Sequence, residues 1–437
     1  MKILFKNAKI LNLDIKEGII NGNVVVENDT ISKITTSAIN EDFDLVIDVK
    51  GNLLMPGFVD THCHSPMTVL RGICDDAPLD EWLYENVIPC ENKLTSEDVY
   101  WAEKLAILEY LKAGITCIEE GYFKNESIVK ALKECNFRAR VGFGPTTKTS
   151  NVDNFTLLKN EKAIIEESNL IKSVCFVHSI YTINEKEILE CVDYTAKNNI
   201  PRSIHLSETL NEVGDCTVKH NGKTPVQYLE DLGFFDRQTL CYHCVHMDKD
   251  DLQILADYNV SVSTCPSSNI KLASGIAPIY AMQNKGINIT IGTDGVASNN
   301  SLDMFKEMFL VATLSKVSIY DASVVSAREV LKMATLNGAK ALGFDVGEIK
   351  VGKKADIILI NINQPHYYPQ VNLLSHLVYA GKSGDVYLTM VNGKILYENG
   401  KFHIGEDENK IYEQINKIRE RITKKWTYKT HWQVNLK

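Results

Sequence analysis

The central part of the chain alternates between short apolar runs rich in β-branched residues and longer segments whose apolar positions have helical spacing. Eight runs of the first kind occur in roughly 250 residues, which is the size of a TIM barrel. They are Gly57–His62, Ile115–Glu119, Arg138–Phe143, Ser173–His178, Arg202–Leu206, Thr239–His243, Val260–Thr264 and Asn288–Thr293. This repeated strand–helix order predicts an α/β fold of the TIM (β/α)8 type.

The predicted helices have recognisable ends. Thr95 is followed three residues later by an acidic residue, which approximates a capping box, and Gly114 ends that helix. A second helix begins at Asn184, and a third has Thr224 as its N-cap and Gly233 as its stop. These signals place helices between the predicted strands, as a barrel requires.

Both ends of the chain have the pattern of short strands. The predicted strands are Val24–Val26, Ile31–Ile34, Lys354–Ile360, Val386–Val391 and Lys394–Tyr397. The dipeptide Asn392-Gly393 between the last two is a strong hairpin signal, because both residue types tolerate positive φ. Neither end has enough apolar surface to form a stable domain alone, so we expect both to share one small β-sandwich.

The barrel is therefore expected to be inserted into a sandwich made from both chain ends. The predicted boundaries are residues 1–55 together with 347–404 for the sandwich, 56–346 for the barrel and 405–437 for a charged helical tail. A doubly wound sheet is the rival fold, but it would need a glycine-rich loop after its first strand. Here that strand leads into Asp60-Thr61-His62-Cys63-His64 instead, which favours the barrel.

Composition narrows the class of protein. The 437 residues include 47 Lys and Arg and 56 Asp and Glu, which gives a formal net charge of −9. This acidic balance disfavours nucleic acid as a partner, because nucleic-acid binding depends on basic patches. No apolar run is long enough to cross a bilayer, and charges interrupt the first segment, MKILFKNAKILNLDI, where a signal peptide would be apolar. We expect a cytoplasmic protein with no membrane partner, and we interpret the eleven cysteines as scattered, reduced thiols.

Candidate metal ligands lie at the ends of three predicted strands. His62 and His64 are two residues apart at the end of the first strand, so both imidazoles point the same way. His205 ends the fifth strand and Asp294 the eighth. An HxH pair alone is a weak signal, but the carboxyl ends of barrel strands converge on one mouth. Three imidazoles and one carboxylate meeting there suit Zn²⁺ or Fe²⁺, with one position left for water.

Two further groups could make such a water reactive. Glu208, three residues after His205, is assigned as the proton shuttle that contacts a ring nitrogen of the substrate. His243 ends the sixth strand and is expected to hydrogen-bond or deprotonate the water, whereas His246 falls in the following loop. The fourth strand, Ser173–His178, ends without the lysine that two-metal sites of this kind commonly use. Its absence favours a single metal.

Several motifs around these residues together resemble the amidohydrolase superfamily over nearly the whole chain. The motifs are Pro56–His64, His205–Glu208, Pro266–Gly275, Gly292–Asn300 and Gly352–Asp356. Within the superfamily the chain is similar to the methylthioadenosine/S-adenosylhomocysteine deaminase branch, which also contains the triazine hydrolases. The resemblance implies one metal held by the four candidate ligands and a split β-sandwich beside the barrel. Barrels of this kind often form symmetric assemblies, so a homo-oligomer is expected.

The resemblance also implies how the substrate is held. Glu91 matches the carboxylate that binds the ribose hydroxyls in this branch, and His178 matches a second substrate contact at the end of the fourth strand. Glu208 and Asp294 are expected to contact the substrate as well. Trp82 is either a wall of the pocket or a core residue, and both alternatives stay open.

The length of the substrate is also left open. S-adenosylhomocysteine binders need a cation for the amino-acid carboxylate, commonly an arginine between Glu91 and His178. The only arginines in that interval are Arg138 and Arg140, which strand alternation puts on one face of the predicted third strand. Whether either contacts a substrate carboxylate stays open. S-adenosylhomocysteine, 5′-methylthioadenosine, 5′-deoxyadenosine and adenosine all remain candidate substrates.

The predicted function is metal-dependent hydrolytic deamination of an adenine nucleoside, which gives the inosine analogue and ammonia. Its predicted catalytic residues are Glu208, His243 and Asp294, with Zn²⁺ as the expected metal and Fe²⁺ as the alternative. A second hypothesis is an aminohydrolase or chlorohydrolase acting on a guanine, cytosine or triazine ring, which a ribose-binding Glu91 disfavours. A third is an inactive barrel serving as an assembly scaffold, which the complete ligand set disfavours.

Overall fold

Two sheets and their flanking helices form the computed structural model, which describes residues 1–77, 81–145, 154–166 and 168–423. The strands are β1 (Lys2–Leu11), β2 (Ile19–Glu27), β3 (Thr30–Thr35), β4 (Leu45–Asp48), β5 (Leu53–Pro56), β6 (Phe58–Cys63), β7 (Ile115–Glu120), β8 (Arg138–Phe143), β9 (Ile171–Val177), β10 (Arg202–Leu206), β11 (Thr239–His243), β12 (Ser261–Thr264), β13 (Asn288–Ile291), β14 (Ile357–Ile360), β15 (Val386–Val391), β16 (Lys394–Glu398) and β17 (Lys401–Phe402).

The helices lie mainly between the strands of the central sheet. They are α1 (Ile88–Glu91), α2 (Ser96–Ala113), α3 (Asn125–Glu134), α4 (Asn154–Ile165), α5 (Glu185–Asn198), α6 (Leu210–Lys219), α7 (Pro225–Asp231), α8 (Lys249–Asp257), α9 (Pro266–Lys271), α10 (Ile279–Asn284), α11 (Val296–Asn299), α12 (Met304–Ile319), α13 (Ala327–Met333), α14 (Leu336–Leu342), α15 (Leu373–Tyr379) and α16 (Glu408–Thr423). Short 3₁₀ turns cover Ser65–Leu70, Pro365–Tyr367 and Ser383–Asp385, and one π-helical segment covers Glu81–Val87.

The central sheet is a barrel of eight parallel strands, β6 to β13, each hydrogen-bonded to the next in chain order. Its first and last strands meet where the Asp294 N–H donates to the His62 carbonyl at 2.8 Å. Across the same seam, the buried hydroxyl of Thr61 lies 2.7 Å from the hydroxyls of both Ser263 and Thr290. The predicted TIM barrel is confirmed, and each predicted run forms one of its strands.

The barrel strands differ from the prediction only at their ends. β9 begins at Ile171, and β13 ends at Ile291 rather than at Thr293. Just after β13 the chain passes close to β6, since a Cβ on Gly292 would lie 2.7 Å from the Cβ of His62. Asp294 then has a φ of +64°, which is outside the strand region of backbone space. The chain therefore leaves the sheet irregularly just before the predicted metal ligand.

The second sheet joins both ends of the chain in nine strands. Their order is β17-β16-β15-β14-β5-β1-β2-β3, with β4 paired to β1. β5 lies between the two halves, parallel to β1 and antiparallel to β14. Ile3 and Val24 from the N-terminal strands share one buried core with Ile357 and Leu388 from the C-terminal strands. The sheet therefore closes over a common core, as the predicted sandwich requires.

The turns and helix ends that short-range signals predict are present. β2–β3 and β15–β16 are antiparallel hairpins, and Asn392 and Gly393 have φ angles of +51° and +75°. Thr95, Asn184 and Thr224 each form a capping box at the start of α2, α5 and α7. These local predictions are confirmed.

The charged tail forms α16, which packs against α2 and buries Ile411, Ile418 and Ile422. The remainder of the predicted tail, residues 424–437, lies outside the described residues. Among the helices of the described ranges, none has the length and apolar character that a membrane crossing requires. The predicted domain boundaries stay a prediction.

Candidate active site

The four predicted metal ligands meet at the mouth of the barrel. His62 lies in β6 and His64 follows it, His205 lies in β10, and Asp294 follows β13. Asp294 Oδ1 is 3.5 Å from Nε2 of both His62 and His64. The ring centroids of His62 and His205 are 4.7 Å apart. We call these four residues the His–Asp cluster.

Backbone carbonyls fix the orientation of two imidazoles in this cluster. His64 Nδ1 lies 2.5 Å from the Gly121 carbonyl, and His205 Nδ1 lies 2.8 Å from the His178 carbonyl. A carbonyl oxygen only accepts, so Nδ1 is the donor in both rings and Nε2 keeps its lone pair for another partner. This is how metal-binding histidines are usually held.

The charge state of the cluster also suits a cation. Burial lowers the pKa of His62 to about 3 and lowers that of His205 well below its usual range, so both rings are neutral. Neither ring nitrogen of His62 has a hydrogen-bond partner among the described residues. Burial alone would raise the pKa of Asp294, but the surrounding histidines His62, His243 and His64 together hold it well below its usual range, so the carboxylate is ionised. A buried carboxylate facing neutral imidazole lone pairs fits a divalent metal ion.

His243 lies against the same cluster. Two groups of three residues, one of His62, His64 and Asp294 and the other of His62, His205 and His243, each have their ligand atoms within 4.8 Å of one another. His243 Nδ1 lies 2.8 Å from Asn269 Oδ1. Because an amide oxygen only accepts, His243 Nε2 is left free to accept a proton.

Glu208 faces this free nitrogen. Its Oε2 is 3.8 Å from His243 Nε2, and burial raises its pKa. Burial lowers the pKa of His243, but the carboxylates of Glu208 and Asp294 outweigh it, and the pKa is raised overall. The predicted proton shuttle and the predicted water-contacting histidine are therefore neighbours. His246 is elsewhere, with Nε2 2.8 Å from the Ser274 carbonyl.

Two residues that support the site, Glu212 and Asn269, were not predicted from the sequence. Glu212 accepts hydrogen bonds from the backbone N–H groups of Ser207 and Glu208 at 2.9 and 2.8 Å, and so anchors the turn that carries Glu208. Asn269 lies within a family-typical motif, but only its distance to His243 reveals its role.

The cysteines near the site need a correction. Cys241 and Cys244 have the CxxC spacing on either side of His243, so the sequence interpretation of scattered thiols was incomplete. Both are buried free thiols, and burial raises the pKa of Cys244 well above its usual range. Neither thiol belongs to the His–Asp cluster.

A cavity of about 590 Å³ extends from His64 across the carboxyl ends of β7, β8 and β9. Glu91 and His178, the two predicted substrate contacts, both line it. Burial raises the pKa of Glu91 to about 7 and lowers that of His178 to about 4. The volume falls within the range of small-molecule sites. We call this space the substrate cavity.

Other residues of the sequence analysis lie away from the cavity. Trp82 is a core residue whose Nε1 donates to the Ala297 carbonyl at 3.1 Å, while its neighbours Leu83 and Tyr84 line the cavity. Of the two alternatives for Trp82, a wall of the pocket or a core residue, the structure shows the second.

The two arginines considered for a substrate carboxylate are engaged in buried ion pairs. Arg138 binds Asp356 through Nε and Nη2 at 2.7 and 2.9 Å. Arg140 pairs with Glu119 and donates to the Ala341 carbonyl at 2.8 Å. Neither lines the substrate cavity. The structure therefore removes both from the list of candidate carboxylate ligands.

Comparisons with known proteins agree with this geometry. A sequence profile described as the amidohydrolase family matches residues 53–396. The chain is 40% identical to a 5-methylthioadenosine/S-adenosylhomocysteine deaminase of Thermoanaerobacter pseudethanolicus, over 94% of this chain and 97% of that protein. It is also 40% identical to a 5′-deoxyadenosine deaminase of Methanosarcina acetivorans, over 96% and 98%. The crystal structure of an adenosine deaminase from Xanthomonas campestris with bound zinc superposes with a TM-score of 0.92 at 31% identity, covering 97% of this chain and 98% of that one.

Proposed function

Because the chain belongs to the amidohydrolase family, in the branch of the methylthioadenosine/S-adenosylhomocysteine and 5′-deoxyadenosine deaminases, we propose that it deaminates adenine nucleosides. Water replaces the amino group at C6 of the purine, and the products are the inosine analogue and ammonia. The main observation is that Glu208 faces His243, which lies against the His–Asp cluster. His64 of that cluster lines the same cavity as Glu91.

We propose that the His–Asp cluster holds one divalent metal ion, with Zn²⁺ as the expected ion and Fe²⁺ as the alternative. The free Nε2 atoms of His64 and His205 and the unpaired nitrogens of His62 support this assignment. So does the zinc in the related Xanthomonas campestris enzyme. When bound, such an ion lowers the pKa of a coordinated water and makes it a nucleophile at neutral pH.

In this proposal, Glu208 and His243 transfer the protons of the reaction. Burial raises the pKa of Glu208, and we assign this residue as the group that passes a proton to N1 of the purine as water adds to C6. His243 Nε2 can accept a proton from the attacking water, because Asn269 fixes Nδ1 as the donor. His243 then gives this proton to the departing amino group, which leaves as ammonia. The proton of the added hydroxyl returns to Glu208 as the C6 carbonyl forms.

In this proposal, residues of the substrate cavity bind the ribose. A carboxylate can accept hydrogen bonds from two vicinal hydroxyls, and we propose that Glu91 does so with the ribose. His178 is neutral, and its Nδ1 lies 3.1 Å from the hydroxyl of Thr182. The ring is thereby held as a second polar contact for the nucleoside.

Among the described residues, the cavity is lined by two glutamates, Glu91 and Glu161, and by one lysine, Lys124. We propose that this excess of carboxylates favours nucleosides without a carboxylate at the 5′ end. Glu161 lines the cavity, and its Oε2 is buried with no hydrogen-bond partner among the described residues. Arg138 and Arg140, in contrast, are neutralised elsewhere. We propose 5′-deoxyadenosine and 5′-methylthioadenosine as better substrates than S-adenosylhomocysteine, because the last carries a carboxylate.

Ammonia release from zinc-loaded protein tests the proposal. The panel consists of adenosine, 5′-deoxyadenosine, 5′-methylthioadenosine, S-adenosylhomocysteine, guanine, cytosine and a chlorotriazine. We expect turnover of the nucleosides, loss of it after chelation, recovery on adding zinc and one metal ion per chain. Turnover of a free base or the triazine without any nucleoside would favour the second hypothesis. A metal content far below one per chain, with no turnover, would favour the scaffold.

A further inference from the structure

A hydrogen bond behind the proposed ribose ligand identifies a further functional residue. We infer that Tyr122 is a positioning residue for the nucleoside, which holds Glu91 in the orientation that receives the ribose hydroxyls. This inference rests on the proposed function, since it takes Glu91 as the ribose contact. Nothing in the sequence motifs singles out Tyr122.

The contact between the two side chains is short and buried. The Tyr122 hydroxyl donates to Glu91 Oε1 at 2.6 Å, and Tyr122 is only 9% exposed. It is the only side-chain hydrogen bond to the Glu91 carboxylate among the described residues. A carboxylate held by one oxygen keeps the second oxygen and its remaining lone pairs for incoming hydroxyls. Both residues line the substrate cavity, so the free oxygen is available to a nucleoside.

The same short segment also orients a proposed metal ligand. Gly121, immediately before Tyr122, directs its carbonyl at His64 Nδ1. Its N–H donates to the Cys63 carbonyl at 3.0 Å, which fixes the segment to β6. Two consecutive residues therefore orient His64 at one end of the substrate and Glu91 at the other. The backbone just after β7 therefore fixes the spacing between the proposed metal ligand His64 and the proposed ribose ligand Glu91.

Packing keeps the tyrosine ring in place independently of its hydroxyl. The ring stacks on Phe123 with centroids 4.1 Å apart and planes at 23°. Tyr122→Phe should therefore keep this packing and remove only the hydrogen bond. Burial already raises the pKa of Glu91, and the Tyr122 hydroxyl opposes that shift by stabilising the ionised form. Without it the carboxylate is less well oriented and is protonated more readily.

The chain offers a matched control outside the cavity. The Tyr100 hydroxyl donates to Glu134 Oε2 at 2.5 Å, which is the same pair of groups on the helical side of the barrel. Tyr100→Phe removes a Tyr–Glu hydrogen bond of the same kind from a pair that does not line the substrate cavity. The Glu134 carboxylate keeps a second partner, Lys104 Nζ, at 2.7 Å. Any effect common to both variants is structural, and an effect confined to Tyr122→Phe belongs to the cavity.

The experiment compares 5′-deoxyadenosine with its analogue that lacks the 2′ and 3′ hydroxyls, on the zinc-loaded full chain. For 5′-deoxyadenosine we expect Tyr122→Phe to raise KM about tenfold while kcat changes less than threefold, the size of a hydrogen bond to a charged group. For the analogue without hydroxyls, kcat/KM should match the wild type within twofold. Tyr100→Phe should leave both substrates unchanged, and Glu91→Gln should lose at least as much as Tyr122→Phe.

The outcomes separate this inference from the proposed function. An equal loss on both nucleosides, or no loss on either, would overturn the positioning role while leaving nucleoside deamination intact. If Glu91→Gln left KM for 5′-deoxyadenosine unchanged, the ribose assignment and this inference would both fall. An absence of deamination of either nucleoside by the wild type would reject the proposed function itself.

Discussion

In the proposed mechanism Glu208 transfers protons, whereas the His–Asp cluster holds the metal, and a variant of Glu208 tests this division of roles. Glu208→Gln keeps the size of the side chain but cannot deliver a proton, so we expect kcat to fall by about 10² to 10⁴. Metal content should stay near that of the wild type, because Glu208 is not in the His–Asp cluster. Ammonia-release kinetics and metal analysis measure the two effects. Glu413→Gln, on the exposed side of α16, is the control.

Loss of metal together with activity in Glu208→Gln would assign that carboxylate to the metal instead. Retention of more than about a tenth of wild-type kcat would show that another group supplies the proton.

Nucleoside binding should depend on pH through Glu91. Burial raises the pKa of Glu91 to about 7, and only the ionised form accepts hydrogen bonds at both oxygens. As pH falls through about 7, the carboxylate takes up a proton and we expect KM for 5′-deoxyadenosine to rise. The Glu91→Gln variant should have a higher KM that does not change over the same interval. A parallel pH dependence in the two proteins would assign the titration to another group.

Glu161 provides a test of selectivity for the 5′ end of the substrate. Burial raises the pKa of Glu161 to about 7, so the carboxylate is ionised at about pH 8. At that pH Glu161→Gln removes a negative charge from the cavity, and we expect kcat/KM for S-adenosylhomocysteine to rise about threefold to tenfold relative to 5′-deoxyadenosine. Glu166→Gln, on a residue bonded to Lys162 and Ser173, should leave the ratio unchanged. A ratio that moves equally in both variants would contradict the assignment.

The position of a site residue could be predicted from the sequence where its strand fixes the direction of its side chain. His62, His64 and His205 could be placed at one mouth because strand alternation and barrel topology fix where their side chains point. Tyr122 and Asn269 could not, because each acts through a partner distant in the chain. Arg138 illustrates the same limit, since its partner Asp356 lies 218 positions away.

At the scale of elements, helix starts could be predicted because their signals are local. Thr95 accepts a hydrogen bond from the Asp98 N–H at 3.2 Å, and the Asp98 carboxylate reciprocates. The close approach of Gly292 to His62 in another strand could not be predicted, because it depends on how the two strands pack. Such contacts between strands carry no local signal in the sequence.

The capping box of α2 can be tested directly. Thr95→Ala leaves the backbone N–H of Asp98 without its acceptor, so we expect the free energy of unfolding to fall by about 1 kcal/mol. Urea denaturation measures this change, and kcat/KM at low denaturant should be unaltered, because Thr95 does not line the cavity. Thr36→Ala, at an exposed position, is the comparison. A loss of activity at wild-type stability would point to a role near the site instead.

At the scale of the whole molecule, one buried ion pair links the barrel to the terminal sheet. Arg138 begins β8, and Asp356 comes immediately before β14. Asp356→Asn leaves the buried guanidinium without its charged partner, so we expect the free energy of unfolding to fall by about 3 kcal/mol or more. Kinetic constants of the protein that remains folded should be unchanged. Asp345→Asn, which removes an exposed partner of Lys353, should cost little.

An altered KM for S-adenosylhomocysteine alone in Asp356→Asn would return Arg138 to the list of carboxylate ligands.

The overall architecture could be predicted from the sequence because eight strand–helix units and two strand-rich ends leave few arrangements. The charge link between them could not, since it pairs two polar residues with no local signal.

The position of β5 in the terminal sheet has a consequence for how the chain is made. Leu54 pairs with Leu359, so the N-terminal strands complete their sheet only after almost the entire barrel has been translated. At typical elongation rates, that interval is roughly 15 to 60 s. During it, one edge of β5 stays unpaired on the ribosome, and such edges recruit other strands. We therefore expect nascent chains of this protein to depend on chaperones, and chains truncated before β14 to aggregate rather than to accumulate as folded barrels.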